Sequence, residues 1–590
     1  MPLNIFQNII DWFKNPVEQA AGGPDPRLAA AVTFLSRWLL PLLAIIIIVR
    51  ISISLLKWRR EPEVWGHIAL PGGIMLPINH WENLIGRAKG ADILINYPSV
   101  SRSHAVLVRE DDGSWTITDL HSKTGMKING EDVTGSRKLG YSDKLSLGGV
   151  DMRLIPASAE DRKEGAFYRT KPGSRIRPFS TFLLLTLFQL VTAAALVVNV
   201  ESDALIRIPI AFFVLCAVMW AYYLVIRTLR RTGFEVESIA FFLSTIGFAV
   251  IASSDPSALY KQLAAFGIGL AVFIVLGWLL RDLGRSVKLR WFMAAGALGL
   301  LALTLLFGRE VYGAKNWIFI GPLSVQPSEI AKIAFVYAGA ATLDRLMMKR
   351  NLWMFLLLSA GCIGMLALMN DFGTAAIFFV TFVVIAFLRS GDFSAILLSG
   401  AGAGLFGFLV FKFKPYVLNR FRAWRKVWDY AATLGYQQTR TLTYAASGGL
   451  LGVGLGNGWL KHVAAADTDL VFGFLCEEWG LLVALCAVVA IIVLAVFCVK
   501  SAGQGRSSFF VISACAAMCM LTVQTMLNVF GSVDILPLTG VTFPFVSNGG
   551  SSMISSWGLL AFVKAADTRQ NASFAIRLEK RVKGKGAGGA

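Results

Sequence analysis

The stretch LPLTGVTFPFVSNGGSS, residues 536–552, lies between two long apolar runs, yet prolines, glycines, serines, threonines and an asparagine crowd it. Its setting decides what that means. The protein has 590 residues, 55% of them hydrophobic and 16% charged, and its mean hydropathy of +0.61 is far above that of a soluble globular chain. Such a chain is an integral membrane protein. Non-helical backbone cannot face hydrocarbon, because unpaired amides are costly there, so the stretch belongs outside the bilayer or on the wall of a wet cavity. Its hydroxyls and amide make that wall a candidate site.

With 56 Lys plus Arg against 37 Asp plus Glu, the net charge is +19. In a membrane chain such an excess belongs to short cytoplasmic loops, so nucleic acid is not an expected partner. All seven cysteines fall inside or at the ends of apolar runs without metal-ligand spacing, which reads as packing. No cleavable signal peptide is expected, since the first dozen residues carry one acid and no base.

Residues 28–58 read as one apolar span interrupted by Arg37 and Arg50. The texture then changes: residues 62–157 are polar, Gly-rich and full of short alternating segments such as HAVLVRE (104–110), the pattern of a small all-β domain. Apolar runs resume at about 179–199, 205–226, 237–254, 258–280, 291–307, 328–343, 352–369, 373–388, 394–411, 470–498, 508–531 and 551–566. With the β-domain in the cytoplasm, RTLRR (227–231), RDLGRSVKLR (281–290), DRLMMKR (344–350) and KAADTRQ (564–570) all face the cytoplasm, as positive charge should. Residues 308–329, the long basic stretch 412–468 and the opening segment then lie outside, and the N-terminus is extracytoplasmic.

Five ordered segments resemble the SEDS family, the RodA/FtsW/SpoVE-like peptidoglycan glycosyltransferases. They are GAKNWIFIGPLSVQPSEIAK (313–332), NDFGTA (370–375), GYQQTRTLTYAASGGLLGVGLG (435–456), DTDLVFGFLCEEWGL (467–481) and the opening stretch. The resemblance spans about 237–566, where ten apolar runs match that family's helix number. The implied fold is a polytopic α-helical membrane protein: a ten-helix core, an added hairpin at 179–226, the helix at 28–58, and a basic cytoplasmic tail from 567.

Glu329 and Lys332 are three apart at the outer end of a helix, so they share a face and can both point into a cavity. Ionisable groups at membrane depth mark function by default, and a helix-capping ion pair is the plainer alternative. Asp469, ahead of an apolar run, reads first as an N-cap. The resemblance changes that, because the family's essential aspartate falls in a Thr-Asp pair, here Thr468-Asp469, and implies a general base. The implied reaction joins two molecules of lipid II, with the 4-hydroxyl of one sugar displacing undecaprenyl pyrophosphate from the other. That leaving group requires cations, and Lys332 and Arg440 are the candidates. Ser547, Asn548, Ser551 and Ser552 would present polar groups to the substrate. Asp371 reads as an N-cap. Two departures from the family pattern stand out: Asn548 replaces a usual Tyr, and Ala465-Ala466-Asp467 replaces a usual Pro-Glu ahead of the Thr-Asp pair.

Within 66–155, LIGRAKGADILINYPSVSRSHAVLVRE (84–110) and TITDLHSKTGMKINGEDV (116–133) resemble a forkhead-associated (FHA) domain, a β-sandwich that reads phosphothreonine. Arg87 and Ser101 match its phosphate-binding positions, Arg102 and Lys123 add charge, and His104 matches a buried scaffold histidine. Thr124 stands where the family has an Asn that holds the peptide backbone. The implied partners are lipid II, a phosphothreonine-containing protein and a class B penicillin-binding protein, a transpeptidase. The residues assign no cofactor and leave open a divalent cation such as Mg beside the pyrophosphate. Two other classes stay open at this point: a lipid II flippase, which needs no base at Asp469, and an inactive scaffold that recruits phosphorylated division proteins.

Overall fold

The computed structural model describes residues 26–56, 64–161, 176–390, 415–502 and 507–573, apart from short gaps inside those spans. The run expected at 394–411 lies largely outside the described residues, as do the first 25 residues and the tail beyond 573.

Among the described residues, eight helices are long and apolar enough to cross a membrane. They are α1 (Pro26–Leu56), α2 (Pro178–Asn199), α3 (Arg207–Thr228), α4 (Glu235–Ser254), α5 (Leu259–Leu279), α6 (Leu283–Phe307), α13 (Leu481–Ala502) and α14 (Ser508–Ser532). Further helices complete the core: α7 (Pro327–Thr342), α8 (Lys349–Leu368), α9 (Phe372–Ser390) and α15 (Gly550–Ala565). Alpha4 is buried along nearly its whole length, which makes it the central post of the bundle. The added α2 packs on it through Phe188, whose ring lies 5.2 Å from Phe242 and 5.8 Å from Trp479.

Between α1 and α2 stand eleven strands in two sheets, the all-β sandwich read from the alternating segments. One sheet has the order β2-β1-β11-β10-β7-β8 and the other β4-β3-β5-β6-β9, from β1 (Gly66–Ala69) to β11 (Val150–Pro156). Alternation places Val150, Met152 and Leu154 inward with Asp151 and Arg153 outward. Asn129 and Gly130, both with positive φ, make the two-residue turn between β7 (Met126–Ile128) and β8 (Glu131–Val133).

Three stretches differ from the sequence expectation. Residues 309–325 form a small antiparallel meander, β12 (Arg309–Val311), β13 (Ala314–Ile320) and β14 (Leu323–Val325). The long basic stretch holds two helices, α10 (Pro415–Ala423) and α11 (Tyr436–Gly448). The run at 470–498 is two helices, α12 (Val471–Glu478) and α13, broken at Trp479-Gly480. A purely apolar count misses that break because its cause is tertiary. Gly480 has φ +83°, and a Cβ there would come within 2.3 Å of the Leu450 carbonyl. The Glu477 carboxylate accepts hydrogen bonds from the amides of Trp459 (2.7 Å) and Leu460 (2.9 Å). Glu478 accepts from those of Gly456 (3.1 Å) and Gly458 (3.2 Å) and from the Ser253 hydroxyl (2.6 Å). The two acids therefore anchor the Gly-rich loop 449–460.

The tail expected to start at 567 is packed through residue 573. Arg569 pairs with Asp567 (2.7 Å) and Glu235 (3.2 Å), and Lys564 pairs with Glu237 (3.0 Å), so this end of the bundle closes on a buried, compensated ionic cluster.

Alpha14 ties the parts together. At its start the Ser508 amide donates to Glu82 of β3 (Glu82–Gly86) in the sandwich, at 3.3 Å. Twenty residues on, about 30 Å along the axis, Asn528 donates to the Asp469 carbonyl at 3.0 Å. The β-domain and the Asp469 loop lie at opposite ends of one membrane-length helix.

Candidate active site

Residues 536–549 fold as a non-helical wall whose backbone is satisfied by side chains from its neighbours, and Gly550, Ser551 and Ser552 start α15. Asn528 Nδ2 donates to the Val541 carbonyl (2.8 Å) and Arg420 Nη1 to that of Leu538 (2.8 Å). Just ahead of the segment, Trp424 Nε1 donates to the Ile535 carbonyl (3.0 Å) and Gln438 Nε2 to that of Gly531, near the end of α14 (3.0 Å). Val541, Phe543, Phe545 and Val546 turn into the core. These bonds are what allow irregular backbone at this depth.

In front of the wall opens a cavity of about 600 Å³. Asn316 and Trp317 of the meander, Asp371, Arg420, Asp469 and the segment 536–552 meet around it, with Phe372, Phe421, Leu527 and Leu538 on its apolar parts. Of the residues singled out from sequence, Asp469, Asn548, Ser551 and Ser552 line it. Ser547 is used in the wall: its hydroxyl donates to the Thr468 carbonyl (2.6 Å) and accepts from the Phe543 amide (2.8 Å).

Asp469 is no N-cap. Leu470 occupies the cap of α12 without a side-chain bond, while the Asp469 carboxylate reaches the cavity beside Gly540. A Cβ on Gly540 would sit 3.4 Å from Asp469 Oδ2 and 3.9 Å from Arg420 Nη2, so the acid and the guanidinium flank a glycine that leaves room for both. Burial pushes the Asp469 carboxyl up to about 6, helped by the negative charges of Asp467 and Asp371 and opposed by the Thr468 hydroxyl and Arg420. Asp371 does cap α9, with Oδ1 accepting from the Thr374 amide at 3.1 Å, and its Oδ2 faces Asn316 and Gln326.

Arg440 is not at this site. It is exposed on α11, stacked over the Tyr436 ring at 5.4 Å. The cation that lines the cavity is Arg420, which sequence reading left among the undistinguished charges of the 412–468 stretch. Its signal was present but weak: Phe421 shares its short helix and Trp424 follows just beyond it, and Phe421 also lines the cavity.

Glu329 and Lys332 are buried behind the wall rather than on it. Lys332 Nζ donates to Glu329 Oε1 (2.7 Å) and Gln524 Oε1 (2.9 Å). Gln524 Nε2 then donates to Thr542 (2.8 Å), whose hydroxyl meets that of Ser552 (2.8 Å) at the cavity. This chain makes the pair a support for the wall. Lys332→Met leaves the Glu329 carboxylate buried without its partner, and we expect a loss of about 3–5 kcal/mol in stability, read as a lower unfolding midpoint of the purified protein.

Among the described residues no group of three or more His, Cys, Asp or Glu side chains converges as a metal cage.

On the sandwich, Arg87, Arg102 and Lys123 are exposed together with Thr124. The amides of Arg87 and Ala88 donate to the carbonyls of Ser101 and Arg102, both at 3.0 Å, which joins the two loops. Ser101 Oγ accepts from the Lys123 amide at 3.0 Å. His104 is fully buried: Nδ1 accepts from the Ser101 amide (3.1 Å), so Nε2 carries the proton toward the Gly125 carbonyl (3.0 Å). The Thr124 hydroxyl donates to the Ser99 carbonyl at 3.0 Å, which commits its one proton within the domain.

Residues 237–572 match the family model FTSW_RODA_SPOVE, described as "Cell cycle protein", and residues 83–148 match the FHA domain model. The "Probable peptidoglycan glycosyltransferase FtsW" of Pseudoalteromonas translucida is 32% identical over 335 residues, covering 53% of this chain and 83% of its own. A chain of a solved peptidoglycan synthase complex is 28% identical over 56% of this chain and 96% of its own, with a TM-score of 0.48. The rod shape determining protein RodA of Thermus thermophilus is 28% identical over 56% of this chain and 94% of its own, with a TM-score of 0.42. The match to the family model covers more than half of the sequence, and the chain belongs to the FtsW/RodA/SpoVE family, with an FHA domain placed ahead of the family's core.

Proposed function

We propose that the chain is a peptidoglycan glycosyltransferase that polymerises lipid II at the outer face of the cytoplasmic membrane. The observation that carries this reading is Asp469 and Arg420 lining one cavity, both beside Gly540. In the reaction, the 4-hydroxyl of the incoming N-acetylglucosamine attacks the anomeric carbon of the growing chain's N-acetylmuramic acid. A C–O bond forms on one face as the C–O bond to pyrophosphate breaks on the other, which inverts the centre. Asp469, ionised, takes the hydroxyl proton, and undecaprenyl pyrophosphate leaves with the bonding electron pair. Arg420 meets the negative charge that develops there. Ser551 and Ser552 offer hydrogen bonds to the polar sugar-peptide, and the apolar wall suits the first isoprene units.

The core 237–566 does this work and the sandwich within 62–157 regulates it from the cytoplasm. Positive charge in the short loops supports that orientation, as does a phosphothreonine reader's need for kinases supplied with ATP. A class B transpeptidase is the partner that would crosslink the product strand. The direct test is formation of glycan from purified lipid II by the full-length protein, with and without that transpeptidase. Absence of polymer under both conditions contradicts the reading.

The FHA pocket has its own test. Arg87→Ala removes the exposed guanidinium beside the Ser101 loop, and we expect at least tenfold weaker binding of a phosphothreonine peptide, worth about 1.4 kcal/mol. Polymerisation without the peptide should stay as it was. Unchanged peptide affinity in a titration would show that the phosphate binds elsewhere.

A further inference from the structure

The two departures from the family pattern that lie ahead of and behind the catalytic carboxylate touch each other. Asn548 holds Asp467 at two points: its amide donates to the Asp467 carbonyl (2.8 Å), and Nδ2 donates to the Asp467 carboxylate at Oδ2 (2.8 Å). The same Oδ2 accepts from the hydroxyl of Ser254 at 3.1 Å, at the end of the central post α4. One residue further along each strand of this contact, the Ser547 hydroxyl donates to the Thr468 carbonyl at 2.6 Å. Between these bonds and the Asn528 bond to its own carbonyl, Asp469 is held on a loop that turns at Ala465, a non-glycine residue with φ +60°.

We propose that Asp467 and Asn548 are positioning residues acting as one latch, which ties the segment 536–549 to the Asp469 loop and sets where the Asp469 carboxylate sits. This rests on the reading of Asp469 as the base. The latch has a mechanical and an electrostatic part. Mechanically, Asn548 lines the cavity while its amide group is turned to Asp467, so the wall that contacts substrate and the loop that carries the base cannot shift independently. Electrostatically, the Asp467 charge lies two residues from Asp469. The other charged groups acting on Asp469 are Arg420 from α10 and Asp371 from the start of α9. Asp467 and Asp371 oppose ionisation and Arg420 favours it, so the pH at which the base switches on is a balance to which Asp467 contributes.

Three variants of the full-length protein, assayed for kcat and KM with lipid II between about pH 5 and 8, separate these parts. Asn548→Asp sets two carboxylates against each other; kcat should fall about tenfold with KM little changed, because placement of the base is lost rather than substrate affinity. Adding Asp467→Asn to it rebuilds a carboxylate–amide pair with the roles exchanged, and most of kcat should return. Asp467→Asn alone keeps a hydrogen-bond partner for Asn548 but removes the charge, so the acid limb of the rate profile should move to lower pH. The proposal is overturned if the double variant is no better than Asn548→Asp, or if Asp467→Asn leaves the acid limb in place. Polymer made by Asp469→Asn in the same assay would overturn the assignment of the base beneath it, an outcome distinct from either.

Discussion

Asp469→Asn should reduce lipid II polymerisation by roughly 10²–10⁴-fold, the usual contribution of a positioned general base, while lipid II still binds. The side chains are nearly isosteric, and the loop is held by bonds that do not use the carboxylate: Asp469 N to the Ala465 carbonyl (2.9 Å) and Asn528 to the Asp469 carbonyl (3.0 Å). What changes is the ability to accept a proton. The same variant separates the alternatives that the sequence alone leaves open. A flippase needs no base at this position and would keep working, and an inactive scaffold would show no polymerisation to lose. Binding is measured by tryptophan fluorescence or co-purification of labelled lipid II, and polymer by gel separation of glycan strands. Loss of both together would point to a collapsed site.

Arg420→Ala should cost about 10²–10³-fold in kcat, the range for removing a group aimed at developing charge. The guanidinium is placed by its Nη1 bond to the Leu538 carbonyl (2.8 Å), which ties the cation to the wall it serves. Its second effect is on the base: Arg420 favours the ionised form of Asp469, so the alanine variant should also carry its acid limb at higher pH than the native protein. Lysine restores charge but not the planar fork that bonds the wall and faces the substrate together, so Arg420→Lys should recover only part of the rate. Arg440→Ala, on the outer face of α11, is the control, with an expected change of less than twofold. Equal losses at 420 and 440 would show that the stretch acts through bulk charge.

The fold class was legible because hydrophobicity marks membrane spans and alternation marks strands, and both patterns are local. The parts that escaped sequence reading depend on contacts between distant segments. Gly480 breaks an otherwise apolar run because the Leu450 carbonyl lies where a Cβ would be. Glu477 and Glu478 look like charges stranded in a span until the Gly-rich loop brings its amides to them. The meander at 309–325 is short, and its strands pair only with one another beside the cavity. At the site, the unusual composition of 536–552 identified the wall, and the Thr-Asp pair identified the acid. The choice among basic residues of 412–468 could not be read, because nothing in spacing distinguishes Arg420, which faces the cavity, from Arg440, which does not. Likewise the i, i+3 spacing of Glu329 and Lys332 correctly put them on one face without telling that the face is covered by Gln524.

The ionisation of Asp469 in the free protein can be read from the pH dependence of kcat/KM. Its carboxyl is held above the ordinary carboxylate value, at about 6, and only the ionised form can take the sugar proton. The value of kcat/KM should therefore be full above that pH and fall as pH drops through it, about tenfold for each further pH unit. A rate that stays level from about pH 7 down to pH 5 would contradict a base at this position.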